Sequence, residues 1–254
     1  MENRRIVTTS WDDGDRFDLK LAELLKSKGI RATFYVPTGP LRKQALSPAD
    51  LRLLSSEGFE IGAHGVSHKL LKGLSAPELA AEINSCKPTL EDIVGREVRM
   101  FCYPCGQYDA NAIRAVKAAG YCGARTVRML ATRPGFDSFQ MPTTVQSFPH
   151  PRSTYLKNAA KAAKMEGLRV CLANSARLGN WLELGKRLFD SVVKNGGIWH
   201  LYGHSWEIEE LGLWKDLGEL LDHVGKRSDV TYVPNGKLVP GTAANLRLQK
   251  ACSV

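Results

Sequence analysis

The stretch RATFYVP (Arg31–Pro37), then Ser47-Pro48-Ala49-Asp50, then FEIGAHG (Phe59–Gly65) decides the fold. The two outer runs are short, rich in β-branched and aromatic residues and ended by proline or glycine, which is the pattern of buried strands. Between them a serine N-cap, a proline in the first turn and an acid at the capping-box position start a helix. Strand, helix and strand in this order make a parallel unit with a right-handed crossover.

The same rhythm extends in both directions. IVTTS (Ile6–Ser10), VRMFCYP (Val98–Pro104), YCGARTV (Tyr121–Val127) and GIWHLYGH (Gly197–His204) read as strands, with TYVP (Thr231–Pro234) a weaker one. Phe17, Leu21, Leu24 and Leu25 recur at helical spacing before a stop at Gly29, and Ser75-Ala76-Pro77-Glu78 opens a helix running toward Gly95. Six or seven such units in 254 residues predict a single α/β domain over residues 1–254. A closed barrel is expected rather than an open sheet, because a barrel of about 250 residues uses the whole length. Residues 128–178 depart from the rhythm. Pro134, Pro142, Pro149 and Pro151 interrupt them before a Lys/Ala-rich helix, so this region reads as an elaborated loop.

No run approaches the roughly 18 apolar residues needed to cross a bilayer, so no transmembrane segment is expected. The formal charge of +9 admits nucleic acid, an anionic membrane surface or a phosphorylated substrate as partner. Lys and Arg are scattered, with no basic arm of interleaved aromatics, and nucleic-acid binding is not expected. No motif sets an oligomeric state. The start MENRRIVTTSWDDG lacks the apolar core of a signal peptide, so a reducing, cytoplasmic setting is expected for Cys86, Cys102, Cys105, Cys122, Cys171 and Cys252. Cys102 and Cys105 form a CxxC with no second pair to complete a zinc ribbon.

Chemistry collects at strand ends. The first strand runs into Trp11-Asp12-Asp13-Gly14, whose glycine permits a sharp turn, so two adjacent carboxylates reach one rim from different directions. One can bind a metal while the other stays free as a base. The third strand ends in His64-Gly65-Val66-Ser67-His68. Two histidines four apart share a face if the backbone turns helically, and two imidazoles with one carboxylate form a facial metal set with open positions. Four of the six histidines fall in two strand-end clusters, His64/His68 and His200/His204.

Trp11-Asp12-Asp13-Gly14 followed by His64-Gly65-Val66-Ser67-His68 resembles the first two motifs of the polysaccharide deacetylase family, the NodB-homology or carbohydrate esterase family four proteins. The resemblance runs from Ile6 to about Glu207 and implies a distorted (β/α)7 TIM-like barrel and a metal-dependent N-deacetylase. It implies Asp12 as general base, and Asp13, His64 and His68 as metal ligands. The third motif corresponds to Phe101-Cys102-Tyr103-Pro104-Cys105-Gly106, in which Cys102 and Cys105 stand where family members often carry Arg and Tyr. Cys105 can still offer its backbone N–H to an oxyanion, since any non-proline residue has that group. The missing arginine leaves the base unoriented, and Arg125 at the end of the fifth strand is the expected replacement partner of Asp12. The fourth family motif, an Asp-Trp pattern, is not found. The last motif matches Ile198–His204, with His204 as the expected general acid, His200 in a supporting layer beneath it and His200 as the alternative acid. Trp11, Tyr103, His200, Trp206 and Glu207 are expected to line the substrate.

The expected reaction is hydrolysis of the acetamide of an N-acetylated sugar, a cell-wall or surface glycan or its phosphate-, nucleotide- or lipid-linked precursor, to amine and acetate. Zn2+ is the expected ion, and the donor set also suits Co2+, Ni2+, Mn2+ or Fe2+. The alternatives are deformylation or cyclic-imide opening on the same scaffold, or an inactive carbohydrate-binding relative.

Overall fold

The computed structural model describes residues 4–161 and 179–240. Its centre is β1 (Arg5–Asp12), which pairs in parallel with β2 (Ala32–Val36) on one side and β7 (Gly197–Gly203) on the other. Outward from β2 lie β3 (Glu60–Ala63), β4 (Met100–Cys102) and β5 (Gly123–Arg125), and beyond β7 lies β6 (Val145–Gln146). β8 (Thr231–Tyr232) pairs with the start of β1. All seven strands from β5 round to β6 are parallel, and the sheet curls into a distorted (β/α)7 barrel.

Closure is made by a few residues. Met141 N–H donates to Ala124 O on β5 (2.9 Å) and Met141 O accepts from Thr126 N–H (2.8 Å), while Val145 and Gln146 pair with Leu201 and Tyr202 of β7. Residues 141–146 thus lie inside the region expected to be only loop, and they contain a strand of the barrel. The cause of that misreading is length, since two paired residues carry no alternation.

Around the sheet pack α1 (Phe17–Ser27), α2 (Pro48–Ser56), α3 (Ala76–Asn84), α4 (Cys86–Val94), α5 (Ala110–Ala118), α6 (Arg152–Lys161), α7 (Trp181–Asn195), α8 (Ser205–Glu210) and α9 (Trp214–Val224). Ser47 and Asp50 form the expected capping box of α2, with Pro48 in the first turn. The single helix expected from Ser75 to Gly95 is two, α3 and α4. Pro88 has no N–H and would clash with the carbonyl four residues earlier, so it is accommodated in the first turn of a new helix after Ser85. The Lys/Ala-rich helix expected after the prolines begins at Arg152; residues past Lys161, with Cys171 and Cys252, fall outside the described residues.

Alternation along β7 separates two layers. Trp199 and Leu201 are buried on the helix side, where the Trp199 indole N–H donates to Gly185 O of α7 (3.0 Å) and its ring meets Phe189 edge-on. His200 and Tyr202 face the barrel interior, which is polar. At its N-terminal end Asn235 donates to Thr8 Oγ1 (2.8 Å) and accepts from Tyr35 OH (2.9 Å), and its N–H donates to Thr33 Oγ1 (2.9 Å). Glu60 accepts from Thr33 Oγ1 and from Gly236 N–H. The turn Asn235–Lys237 therefore plugs this end.

Candidate metal centre and catalytic cleft

At the C-terminal end of β1 the backbone turns left-handed at Asp13 (φ 78°) and Gly14 (φ 63°). A non-glycine residue there costs about 1–2 kcal/mol. The turn sends the two neighbouring carboxylates apart: Asp12 points into the barrel and Asp13 toward the third strand.

His64 closes β3 and is buried. The loop after it is not the helical turn expected from the His64/His68 spacing. Gly65 (φ 80°) and His68 (φ 59°) are both left-handed, and Glu82 of α3 grips the loop by accepting from Val66 N–H (3.0 Å), Ser67 N–H (2.8 Å) and the Ser67 hydroxyl. A Cβ at Gly65 would crowd that carboxylate at 3.1 Å. The two imidazoles nonetheless meet, edge to face, with centroids 4.7 Å apart.

Asp13, His64 and His68 form a group whose ligand atoms lie within 4.8 Å of one another. Asp13 Oδ1 is 3.7 Å from His64 Nε2 and 3.4 Å from His68 Nε2. The group fits a divalent cation on two observations. Asp13 Oδ1 is buried and accepts no hydrogen bond among the described residues. His64 Nδ1 faces Cys102 O at 2.9 Å, and a carbonyl only accepts, so Nδ1 carries the proton and Nε2 keeps its lone pair. Burial, aided by His68, holds His64 down at about 4, so the ring is neutral, as ligation requires.

Asp12 faces Arg125, whose Nη2 donates to both carboxylate oxygens. Arg125 lies on β5 directly beside Cys102 of β4 in the sheet register, so a cation one strand over occupies the interior next to the small thiol. Its guanidinium lies over the rings of Tyr202 (4.8 Å) and Tyr35 (5.3 Å). Burial alone would raise Asp12, but the charges of Arg125, His64 and His204 outweigh it and hold the carboxyl at about 2. Asp12 is a carboxylate throughout the neutral range.

His204 follows β7, the neighbour of β1 in the sheet, with its Nε2 3.9 Å from Asp12 Oδ2. Its Nδ1 donates to Glu207 Oε2 at 2.6 Å. Burial opposes protonation, but Glu207 and Asp12 together raise its pKa. His200, four residues back, is 2% exposed and has both nitrogens engaged: Nδ1 donates to Pro142 O (3.1 Å) and Nε2 accepts from Ser10 Oγ (2.8 Å). Burial and Arg125 push it down to about 3.

Trp11, Tyr103 and His200, expected to line the substrate, are buried: Trp11 packs in the hydrophobic core, Tyr103 spends its hydroxyl on Phe139 O, and His200 sits beneath the site. Alternation turns Trp11 and Tyr103 to the face of the sheet opposite Asp12 and Cys102, in the hydrophobic core, and leaves His200 in the interior beneath the site. Glu207 is turned toward His204, and the Trp206 indole N–H donates to Asp13 Oδ2 (2.9 Å). Cys105 is exposed in the turn after β4 with φ 50°. Burial, with Asp13 and Asp12, raises its thiol, and burial raises Cys102 further, so neither is a ready thiolate. Glu82 and Arg42 escaped sequence reasoning, because neither sits in a strand-end motif.

Residues 2–124 match the family model described as polysaccharide deacetylase. Chitin deacetylase 1 of Cryptococcus neoformans var. grubii is 30% identical over 118 residues, 46% of this chain and 24% of that protein. The chain spans less than half the length of the curated relatives it matches. The chitin deacetylase structure from Colletotrichum lindemuthianum superposes with a TM-score of 0.61 at 18% identity, covering 96% of this chain and 91% of that one. A Bacillus anthracis protein described as a carbohydrate esterase family four pseudoenzyme superposes with a TM-score of 0.54 at 16% identity, covering 92% and 65%. At such identities the structures establish the fold. The match over residues 2–124, just under half of the sequence, and the curated deacetylase relatives support a relationship to the polysaccharide deacetylase (NodB-homology) family, whose barrel this chain shares.

Proposed function

We propose that the chain is a metal-dependent deacetylase that hydrolyses the acetamide of an N-acetylated sugar to acetate and a free amine. The observation that carries this reading is the division of labour between adjacent carboxylates, Asp13 with its free oxygen toward two imidazoles and Asp12 ionised between Arg125 and His204.

Asp13, His64 and His68 would hold the ion, with zinc the first choice. A divalent cation there supplies Lewis acidity to the amide carbonyl and to the attacking water. Asp12 accepts a proton from that water as the new C–O bond forms. The Cys105 backbone N–H is the candidate donor to the developing oxyanion. As the C–N bond breaks, His204, held through Nδ1 by Glu207, gives its Nε2 proton to the departing nitrogen. Arg125 keeps Asp12 charged and oriented and is a positioning residue.

The +9 charge favours an anionic glycan or a sugar carrying phosphate, nucleotide or lipid pyrophosphate, which suits a precursor of surface polysaccharide made in the cytoplasm. The test is product analysis with zinc-loaded protein on N-acetylglucosamine oligomers and on N-acetylglucosamine phosphates. Acetate release, with kcat/KM on the phosphate falling as salt is added, supports the reading. Formate release from formylated analogues without acetate release would replace it by deformylation.

A further inference from the structure

We infer that Trp206 is a positioning residue for the metal ligand Asp13, holding that carboxylate so that a single oxygen faces the two histidines. The inference rests on the deacetylase reading of the site and adds to it a residue outside the ligand set.

The two oxygens of Asp13 have different surroundings. Oδ2 accepts the Trp206 indole N–H at 2.9 Å. Oδ1 has no hydrogen-bond partner among the described residues and lies 3.4 Å and 3.7 Å from the imidazole Nε2 atoms of His68 and His64. Indole nitrogen donates and never accepts, so Oδ2 is the acceptor in this contact and one of its lone pairs is committed to Trp206. With Oδ2 engaged, rotation of the buried carboxylate toward two-oxygen chelation costs a hydrogen bond.

Trp206 is itself held. The Arg42 guanidinium lies 4.0 Å over its ring and is tied to Asp15 Oδ2 at 3.3 Å and to Glu210 at 3.8 Å. That cover occupies one indole face, so the ring is not an open two-faced platform for a sugar. The next residue along α8, Glu207, grips His204. One short helix therefore orients the metal ligand through Trp206 and the general acid through Glu207, linking groups at the ends of the neighbouring strands β1 and β7.

The test is Trp206→Phe, which keeps an aromatic ring for Arg42 to cover and removes the donor. Zinc affinity is measured on the purified full chain by competition with a chelator of known strength. Trp214→Phe serves as control, since the Trp214 indole donates to Glu209, away from the ligands. The expected result is a 10- to 100-fold loss of zinc affinity in Trp206→Phe, the usual size of an outer-shell effect, with wild-type affinity in Trp214→Phe and an unchanged melting temperature of the metal-free chain. Affinity within twofold of wild type in Trp206→Phe would overturn the inference alone. A wild-type chain that bound no zinc would overturn the deacetylase reading as well. Should the replacement also lower the metal-free melting temperature, the visible spectrum of the Co2+-loaded protein decides. A weaker band, reporting added coordination by the released oxygen, supports the inference, and a spectrum identical to wild type overturns it.

Discussion

The two ends of the barrel interior are both polar and both buried, yet they differ in what is left unsatisfied. At the N-terminal end Asn235 serves Thr8, Thr33 and Tyr35, and Glu60 serves Thr33 and the Gly236 amide. At the C-terminal end Asp13 Oδ1 and the Arg125 Nε and Nη1 atoms have no hydrogen-bond partner among the described residues. Buried polar groups normally find partners, so the satisfied end marks structure and the unsatisfied end marks chemistry. His200 and His204 repeat the contrast within one strand. The lower ring has both nitrogens engaged and a pKa near 3, whereas the upper ring has one nitrogen held by Glu207, the other toward Asp12, and a raised pKa.

Replacements at the two ends should therefore fail in different ways. The largest effect is expected at the open end: His204→Ala should cut kcat by about 10²- to 10⁴-fold with zinc content unchanged, measured by acetate release and metal analysis. His68→Ala should lose the metal itself. Next is Arg125→Met, which strands Asp12 as a buried charge and should cost about 3–5 kcal/mol in denaturant unfolding. The sign with pH follows from Asp12. Its folded pKa is lowered to about 2, so its contribution is complete above the unfolded value and is lost as pH falls from about 4 toward 2. In Arg125→Met the acid loss of stability in that window should be smaller than in wild type.

At the closed end, Asn235→Ala should cost about 1–3 kcal/mol for each polar partner left bare, lowering the melting temperature while zinc affinity stays within twofold. Loss of metal affinity in that variant would break the distinction between the ends. The smallest effect is a shift of pH profile. Glu207→Gln removes the charge that raises His204, so His204 loses its proton at lower pH. Because the acid works protonated, the alkaline limb of kcat/KM should move to lower pH, with the acid limb unmoved.

Much of this was legible in the chain because its signals are local. The capping box at Ser47 and Asp50, the strand ending in Asp12 and the histidine pair after β3 each declare themselves within about ten residues. The pairing of Arg125 with Asp12 was accessible through the family resemblance, whose members often carry an arginine where this chain has Cys102. What was not legible depends on partners distant in sequence. β6 is two residues long and exists because β5 and β7 are both within reach. Glu82 organises the His64–His68 loop from another helix. Trp11, Tyr103 and His200 stand near the proposed catalytic positions in sequence, but alternation puts Trp11 and Tyr103 in the hydrophobic core and barrel packing buries His200 beneath the site.

The most direct measurement is made on Asp12→Asn, with zinc stoichiometry and acetate release followed on the same preparation. The account predicts one zinc ion per chain, as in wild type, with acetate release reduced at least about 10²-fold. Wild-type turnover in Asp12→Asn, or loss of its zinc while Asp13→Ala retained the metal, would contradict the division of labour between the two carboxylates.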